Sequence, residues 1–330
     1  MYWEENIVPK RKYYSNKMIK FLALIFLFIS SLIKAQDVHF SQFDKTKPLL
    51  NPALIAHQSA DYQLQLQRRS QWSSVTVPFN TFALSLVAKD LYKDLSAAIT
   101  LLNDVAGDSY FSTDGLNFSL SKTFYKKNNF FSIGLIAGLY QRSVDFSNLV
   151  FLESENMNEA SFNFLDIGIG VSNIKIINKN NSFTVGLSAY HLNTPNQSLN
   201  ATENIVLNQK YIAHSTYSSK MNSKIVLTPA VYLLSQKQDK ETIIGSGVSY
   251  KLDNKSVLKS GIYSRINDAF FMTFGIKKGD FEAIVSYDIN TSSLANASKN
   301  MGGVEISVIY GWSVVKGRKE IKEKICPKYL

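Results

Sequence analysis

The chain has 330 residues, a formal charge of +10, 45% hydrophobic residues and one cysteine. That length could bury a large core in one or two domains, but a single cysteine excludes a fold held by internal disulfides. Much of the excess charge sits near the two ends, and the middle is too moderately basic for a nucleic-acid-binding protein.

The first element is an uncharged apolar run, Phe21 to Ile33, preceded by Lys17 and Lys20 and followed by Ala35. A basic flank, a short apolar stretch and a small residue at its exit describe a secretory signal peptide over 1–35. The run is short of the about 20 apolar residues a spanning helix needs. Cleavage after Ala35 leaves Gln36 as the new N-terminus, and Met18 is an alternative start. No cysteine follows the run, so lipidation at a processed N-terminal cysteine is excluded.

Residues 36–58 carry no long periodic pattern and read as a periplasmic N-terminal segment ahead of the first strand. Asn51 and Pro52 are expected to form the turn into that strand. From 59 to 312 the pattern alternates. Leu64 and Leu66 alternate with Gln63, Gln65 and Gln67, and Leu116, Phe118 and Leu120 with Asn117, Ser119 and Ser121. Ile133, Leu135, Ala137 and Leu139 oppose Gly134 and Gly138, and Ile167 and Ile169 oppose Asp166, Gly168 and Gly170. Phe183, Val185 and Leu187 oppose Gly186 and Ser188, and Val285 and Tyr287 oppose Ser286 and Asp288. Val304, Ile306 and Val308 oppose Glu305 and Ser307.

Period-two alternation predicts strands with one apolar and one polar face. A soluble sandwich shares that pattern. Segments of about ten residues, small polar residues on one face and aromatics near segment ends favour a transmembrane antiparallel β-barrel. A sheet in lipid must close, because an open edge strands backbone polar groups. About fourteen strands are expected, with twelve or sixteen as alternatives; 205–217, 241–251 and 256–265 are the weakest. An even count puts both termini in the periplasm. The strand ending at Tyr310 looks like a terminal assembly signal. Residues 313–330 form a basic periplasmic tail containing Lys316, Arg318, Lys319, Lys322 and Cys326.

Few residues invite chemistry. His39, His57, His191 and His214 are scattered, without metal-ligand spacing. Asp166, Glu282, Asp288 and Glu305 fall on the expected lumen face. Paired carboxylates serve acid–base catalysis, but lumen acids matched by arginines are the simpler reading, with Arg68, Arg69, Arg142 and Arg265 as candidate partners. Pro195 and Asn196 read as a loop. No nucleophile elbow or phosphate-binding glycine loop occurs. The expectation is a non-enzyme with no cofactor, metal, nucleic-acid partner or small-molecule substrate.

Several stretches occur in an order that resembles a known family. They are Gln36-Asp-Val-His-Phe-Ser-Gln-Phe43, Asn51-Pro-Ala53, Arg69-Ser-Gln-Trp72 with Pro78-Phe79, and His191-Leu-Asn-Thr-Pro-Asn196. Gly261-Ile-Tyr-Ser-Arg265, Ser286-Tyr-Asp288, Gly302-Gly-Val-Glu305 and the tail Cys326-Pro-Lys-Tyr329 follow. Together they are similar to the PorP/SprF family of type IX secretion membrane proteins of Bacteroidota. The family tail commonly ends Cys-Pro-Arg-Phe, so Lys328 and Tyr329 depart from it conservatively. The resemblance implies an integral outer-membrane protein that supports secretion or surface attachment of cargo, in some members a single adhesin used in gliding motility. It also implies docking to periplasmic machinery. Asp37, His39, Phe40, Phe43, Lys316, Arg318, Lys319, Lys322 and Cys326 are the candidate docking residues, in a barrel whose other partner is membrane lipid. A passive porin or solute-transport barrel is the alternative, and a lipid-modifying enzyme is a third reading.

Overall fold

The computed structural model describes residues 37–73, 77–107, 111–145, 160–198, 204–292, 298 and 300–314. The expected signal peptide and the tail residues Lys316, Arg318, Lys319, Lys322 and Cys326 lie outside the described residues. The strands are β1 (Tyr62–Gln71), β2 (Phe79–Tyr92), β3 (Leu95–Ala106), β4 (Phe111–Lys126), β5 (Asn129–Val144), β6 (Ala160–Ile176) and β7 (Asn181–Tyr190). They continue as β8 (Lys210–Lys220), β9 (Ile225–Gln236), β10 (Asp239–Lys251), β11 (Ser256–Arg265), β12 (Ala269–Lys278), β13 (Phe281–Asn290) and β14 (Met301–Trp312). Each pairs antiparallel with its chain neighbours, and β1 closes on β14 from Tyr62↔Trp312 to Gln71↔Gly303. The result is a closed fourteen-stranded barrel. The three weakest segments are β8, β10 and β11; β8 starts only at Lys210, because Asn196 bridges Val206 in the preceding loop.

The alternation is inverted relative to a soluble sandwich. Asn117, Ser119 and Ser121 are buried inside, whereas Phe118 and Leu120 are 47% and 51% exposed on the outside. No helix among the described residues is long and apolar enough to cross a membrane; the strands present the apolar surface instead. Its upper border is read from the register. Leu101, Leu116, Leu139 and Leu165 pair in one row across β3 to β6. Two positions further along each strand, Asn103, Asp114, Gln141 and Asn163 pair in the next row on the same face. Apolar gives way to polar within one row, as at the edge of a hydrocarbon layer. At the opposite end, Tyr62, Tyr310 and Trp312 stack at 5.5–5.7 Å, the aromatic girdle expected at an interface.

The two ends differ. At the end where β1 begins and β14 ends, every turn has two to four residues. Three of these turns share one construction: Asn178, Asn222 and Asp253 each accept, at their side-chain oxygen, the backbone N–H groups two and three residues on. At the other end the connections reach residues 145–159 and 191–209. Short turns face the periplasm and long loops the exterior in such barrels.

The segment expected to lie in the periplasm lies elsewhere. Residues 38–58 run inside the barrel through a short helix, α1 (Lys47–Leu50), and a 3-10 helix, Pro52–Ala56. Ala53 and Ile55 are completely buried, and Leu50, Leu54 and Ala56 nearly so. The physical reason is the inner wall. Ile136, Tyr190, Ile212, Tyr232, Ile243 and Phe271 form an inward apolar stripe, and Leu50 and Leu54 cover it. The period-two pattern had hidden that stripe among polar neighbours.

Candidate functional site

The site is the seat of this plug, and it has three contacts. The first is ionic. Glu305 of β14 receives the backbone N–H of Ser41 at 2.8 Å and that of Gln42 at 2.9 Å, one on each carboxylate oxygen. The Gln42 side-chain amide donates to the Glu305 carbonyl and to Ser286, and Gln67 of β1 donates to the Glu305 carboxylate. The Ser41 hydroxyl donates to Asp288 of β13 at 2.6 Å and accepts from Arg69 of β1 and Arg265 of β11. One donor and two acceptor positions are all a hydroxyl has. Arg69 pairs with Asp288 at 2.8 Å and Glu305 at 3.3 Å. Arg265 lies 3.5 Å from Asp288, 3.2 Å from Asp268 and 3.6 Å from Glu241. Asp288 and Glu305 are fully buried, and charges so placed need a partner of opposite sign.

The second contact is steric. The Asn51 side chain caps the 3-10 helix, accepting from Ala53 N at 2.9 Å. Its Nδ2 lies 3.0 Å and 3.2 Å from the carbonyl oxygens of Val171 and Leu187, and 3.1 Å from His214 Nε2. Such close approach needs bare backbone. A β-carbon added at Gly134 would overlap the Pro52–Ala53 peptide, and one at Gly170 or Gly186 would overlap the Asn51 side chain. Gly134 and Gly170 are direct cross-strand partners, so the glycines form a notch that receives Asn51-Pro52-Ala53. Asn51 and Pro52 therefore make no turn into β1, which begins ten residues later.

The third contact is aromatic. Phe43 stacks on Tyr232 at 5.2 Å and meets Tyr263 edge-on at 6.2 Å, while Phe40 packs on Ala83 and Leu102. Their rings are taken up inside the barrel, which removes buried Phe40 as a docking residue for an outside partner, while Phe43 is partly buried. The apolar wall attracts them more than water tolerates them. Asp37 and His39 are half-buried. At the lower end of the plug, His57 Nε2 meets Ser172 at 3.1 Å, and the His57 carbonyl accepts from Lys47 at 2.7 Å. Burial foremost, then the charges of Lys47 and Lys89, hold His57 down at about 4.

All four acids expected on the lumen face point inward, but they divide. Glu305 and Asp288 bind the plug backbone and Ser41. Glu282 pairs with Lys259 at 2.6 Å and Lys45 at 3.8 Å. Asp166 lies 3.0 Å from His191 Nδ1. Of the candidate arginines, Arg69 and Arg265 join the ionic seat. Arg142 bonds Thr113 and Gln197, and Arg68 is exposed on the outer face. Asn196 accepts backbone N–H groups from Ser198 and Ile205, and the Pro195 carbonyl accepts from Leu207 N, which closes a small loop above β7. Ser41, Gln42, Gln67, Glu241 and the three notch glycines escaped sequence reasoning. Inward glycines on three successive strands were a readable signal for a notch.

A closed transmembrane barrel with a folded segment of its own chain in the lumen defines an outer-membrane β-barrel protein. The chain's residues 32–310 match a family model described as "Type IX secretion system membrane protein PorP/SprF", and the chain belongs to that family. It is thus a membrane protein of type IX secretion, located in the outer membrane. A search of curated protein sequences finds no match. Among solved structures, the chain is similar to the CymD monoaromatic hydrocarbon channel, with TM-score 0.50 and 10% identity over 82% of this chain and 93% of that one. It is also similar to the Pseudomonas putida toluene transporter TodX and the Ralstonia pickettii toluene transporter TbuX. Each gives TM-score 0.49 and 10% identity over 80% of this chain and 92% of the other. At that identity the CymD likeness is one of fold.

Proposed function

We propose that the protein is a sealed, non-catalytic anchoring platform that supports secretion or surface attachment of cargo proteins and docks to periplasmic machinery of the type IX system. The observation that carries this reading is the plug. Residues 38–58 occupy the lumen and are held by buried charges, a glycine notch and an apolar stripe together, a seat with contacts on β1, β6, β7, β8, β11, β13 and β14. A passive porin gains nothing from so many contacts across its own path. With the lumen occupied, work falls to the two rims.

Two measurements test it. In planar bilayers the full chain should show no large steady conductance, whereas a variant lacking residues 38–58 should conduct, since the fourteen strands close on one another by their own pairing. A wide open state of the full chain would favour the porin reading. In the native cell, deletion of the gene should abolish surface display of at least one type IX cargo; display of every cargo at wild-type levels would sink the secretion role.

A further inference from the structure

The periplasmic mouth of the barrel has cations on its inner wall that make no ion pair among the described residues. Lys251 of β10 shares a face with buried Ile243, Lys277 of β12 with buried Phe271, and Lys220 of β8 with buried His214. Period two therefore directs all three toward the barrel axis. None of the three makes an ion pair among the described residues. Glu282 is the direct cross-strand neighbour of Lys277, but its carboxylate is already held by Lys259 at 2.6 Å and Lys45 at 3.8 Å, and Asp44 holds Lys45 at 2.8 Å. Just inside the lysines lies a cavity of about 180 Å³ between plug residues Ser41–Lys45 and the wall. Thr228, Ser249, Lys259, Tyr263 and Thr273 line it with hydroxyls and an ammonium. Ser249 and Lys251 are adjacent positions on one face, as are Thr273, Gly275 and Lys277, so cavity and lysines form one inner surface.

We infer that this mouth is a docking site for an acidic polypeptide segment that enters from the periplasm and places carboxylates against Lys251 and Lys277. Lipid headgroups are the wrong source, because these side chains face the lumen and not the bilayer. The chain's own residues from Lys316 onward are the wrong sign, with six basic side chains against Glu320 and Glu323. Opposite charge at a recessed mouth also steers an acidic partner over distances of about 10 Å at moderate salt. The inference rests on the docking role proposed above and names the chemistry of the partner.

Fluorescein-labelled octaglutamate is the probe, titrated by anisotropy against the full chain in detergent micelles. Saturable binding is expected, weakening as sodium chloride rises from 50 to 500 mM. Lys251→Glu with Lys277→Glu should weaken it at least tenfold, while Lys179→Glu with Lys224→Glu, at the exposed turns, should change it less than threefold. Should the reversed mouth fail to fold, Lys251→Gln with Lys277→Gln decides the matter, with an expected loss of at least threefold. Absence of saturable binding, equal loss from both lysine pairs, or full displacement by inorganic phosphate at equal charge would overturn the inference. The gene-deletion result above is independent of all these outcomes, so the mouth can fail while the secretion role stands.

Discussion

Ser41 is a small residue whose position is fixed from three directions. Its N–H reaches Glu305, its hydroxyl proton reaches Asp288, and two guanidinium groups approach the same oxygen. Each partner comes from a different strand, so the plug ties β1, β11, β13 and β14 together while they hold it. Removing one charge from such a set leaves the others buried without compensation, at a cost of about 3–5 kcal/mol. Arg69→Met should therefore loosen the plug. With Cys326→Ser and Thr46→Cys as a reporter, maleimide labelling at buried position 46 should accelerate by about a hundredfold or more; unchanged labelling would show that the plug is held elsewhere. The acids of this seat were legible in the sequence, because Asp288 and Glu305 interrupt the small polar residues of an otherwise regular face. Their partner was not. Ser41 and Gln42 stand in a segment without periodicity, and nothing local reveals that a backbone will meet a carboxylate more than two hundred residues away.

At the scale of elements, the strands were readable and the plug was not, for one physical reason. A strand facing lipid on one side writes its environment into every second residue, whereas α1 and the 3-10 helix meet wall on all sides and need only small or apolar residues. Residues 48–56, Pro-Leu-Leu-Asn-Pro-Ala-Leu-Ile-Ala, are indeed almost wholly apolar, a composition poorly suited to a solvated periplasmic stretch. The same enclosure gives the plug a pH dependence. His57 is held at about 4 by burial first and by Lys47 and Lys89 next, so the seated form keeps it neutral. Once unseated, it binds a proton below about 6.5. Seating is therefore full above pH 6.5 and weakens as pH falls toward 4, by on the order of 2 kcal/mol for a group not wholly enclosed. Channel openings in planar bilayers should become more frequent between pH 7 and pH 4.5, and His57→Gln should remove that component. A pH profile unaltered by the substitution would assign any acid sensitivity to other groups.

For the molecule as a whole, the two rims are unlike in shape and charge, and that asymmetry fixes its orientation. The end with short turns carries exposed Lys126, Lys127, Lys179, Lys224, Lys255 and Lys278 against exposed Asp253 and Asp280. The opposite end carries the long connections, and β4, β5 and β6 extend there beyond the leucine row by residues 111–114, 141–144 and 160–163. Strand length alone does not require this projection. β7 pairs with only Ile169–Ile176 of β6, and the Asn193 side chain covers the next part of the exposed edge by accepting from Ile167 N and donating to Leu165 O. A lipid-facing edge left unpaired would be costly, so the His191 to Asn196 stretch acts as a seam. The long loops belong outside the cell and the lysine rim inside the periplasm. In a Cys326→Ser background, a membrane-impermeant maleimide should label Asn267→Cys, between β11 and β12, on intact cells. Ser223→Cys, between β8 and β9, should react only after the outer membrane is permeabilised. The reverse order would place the lysine mouth on the cell surface and force the docking partner to come from outside.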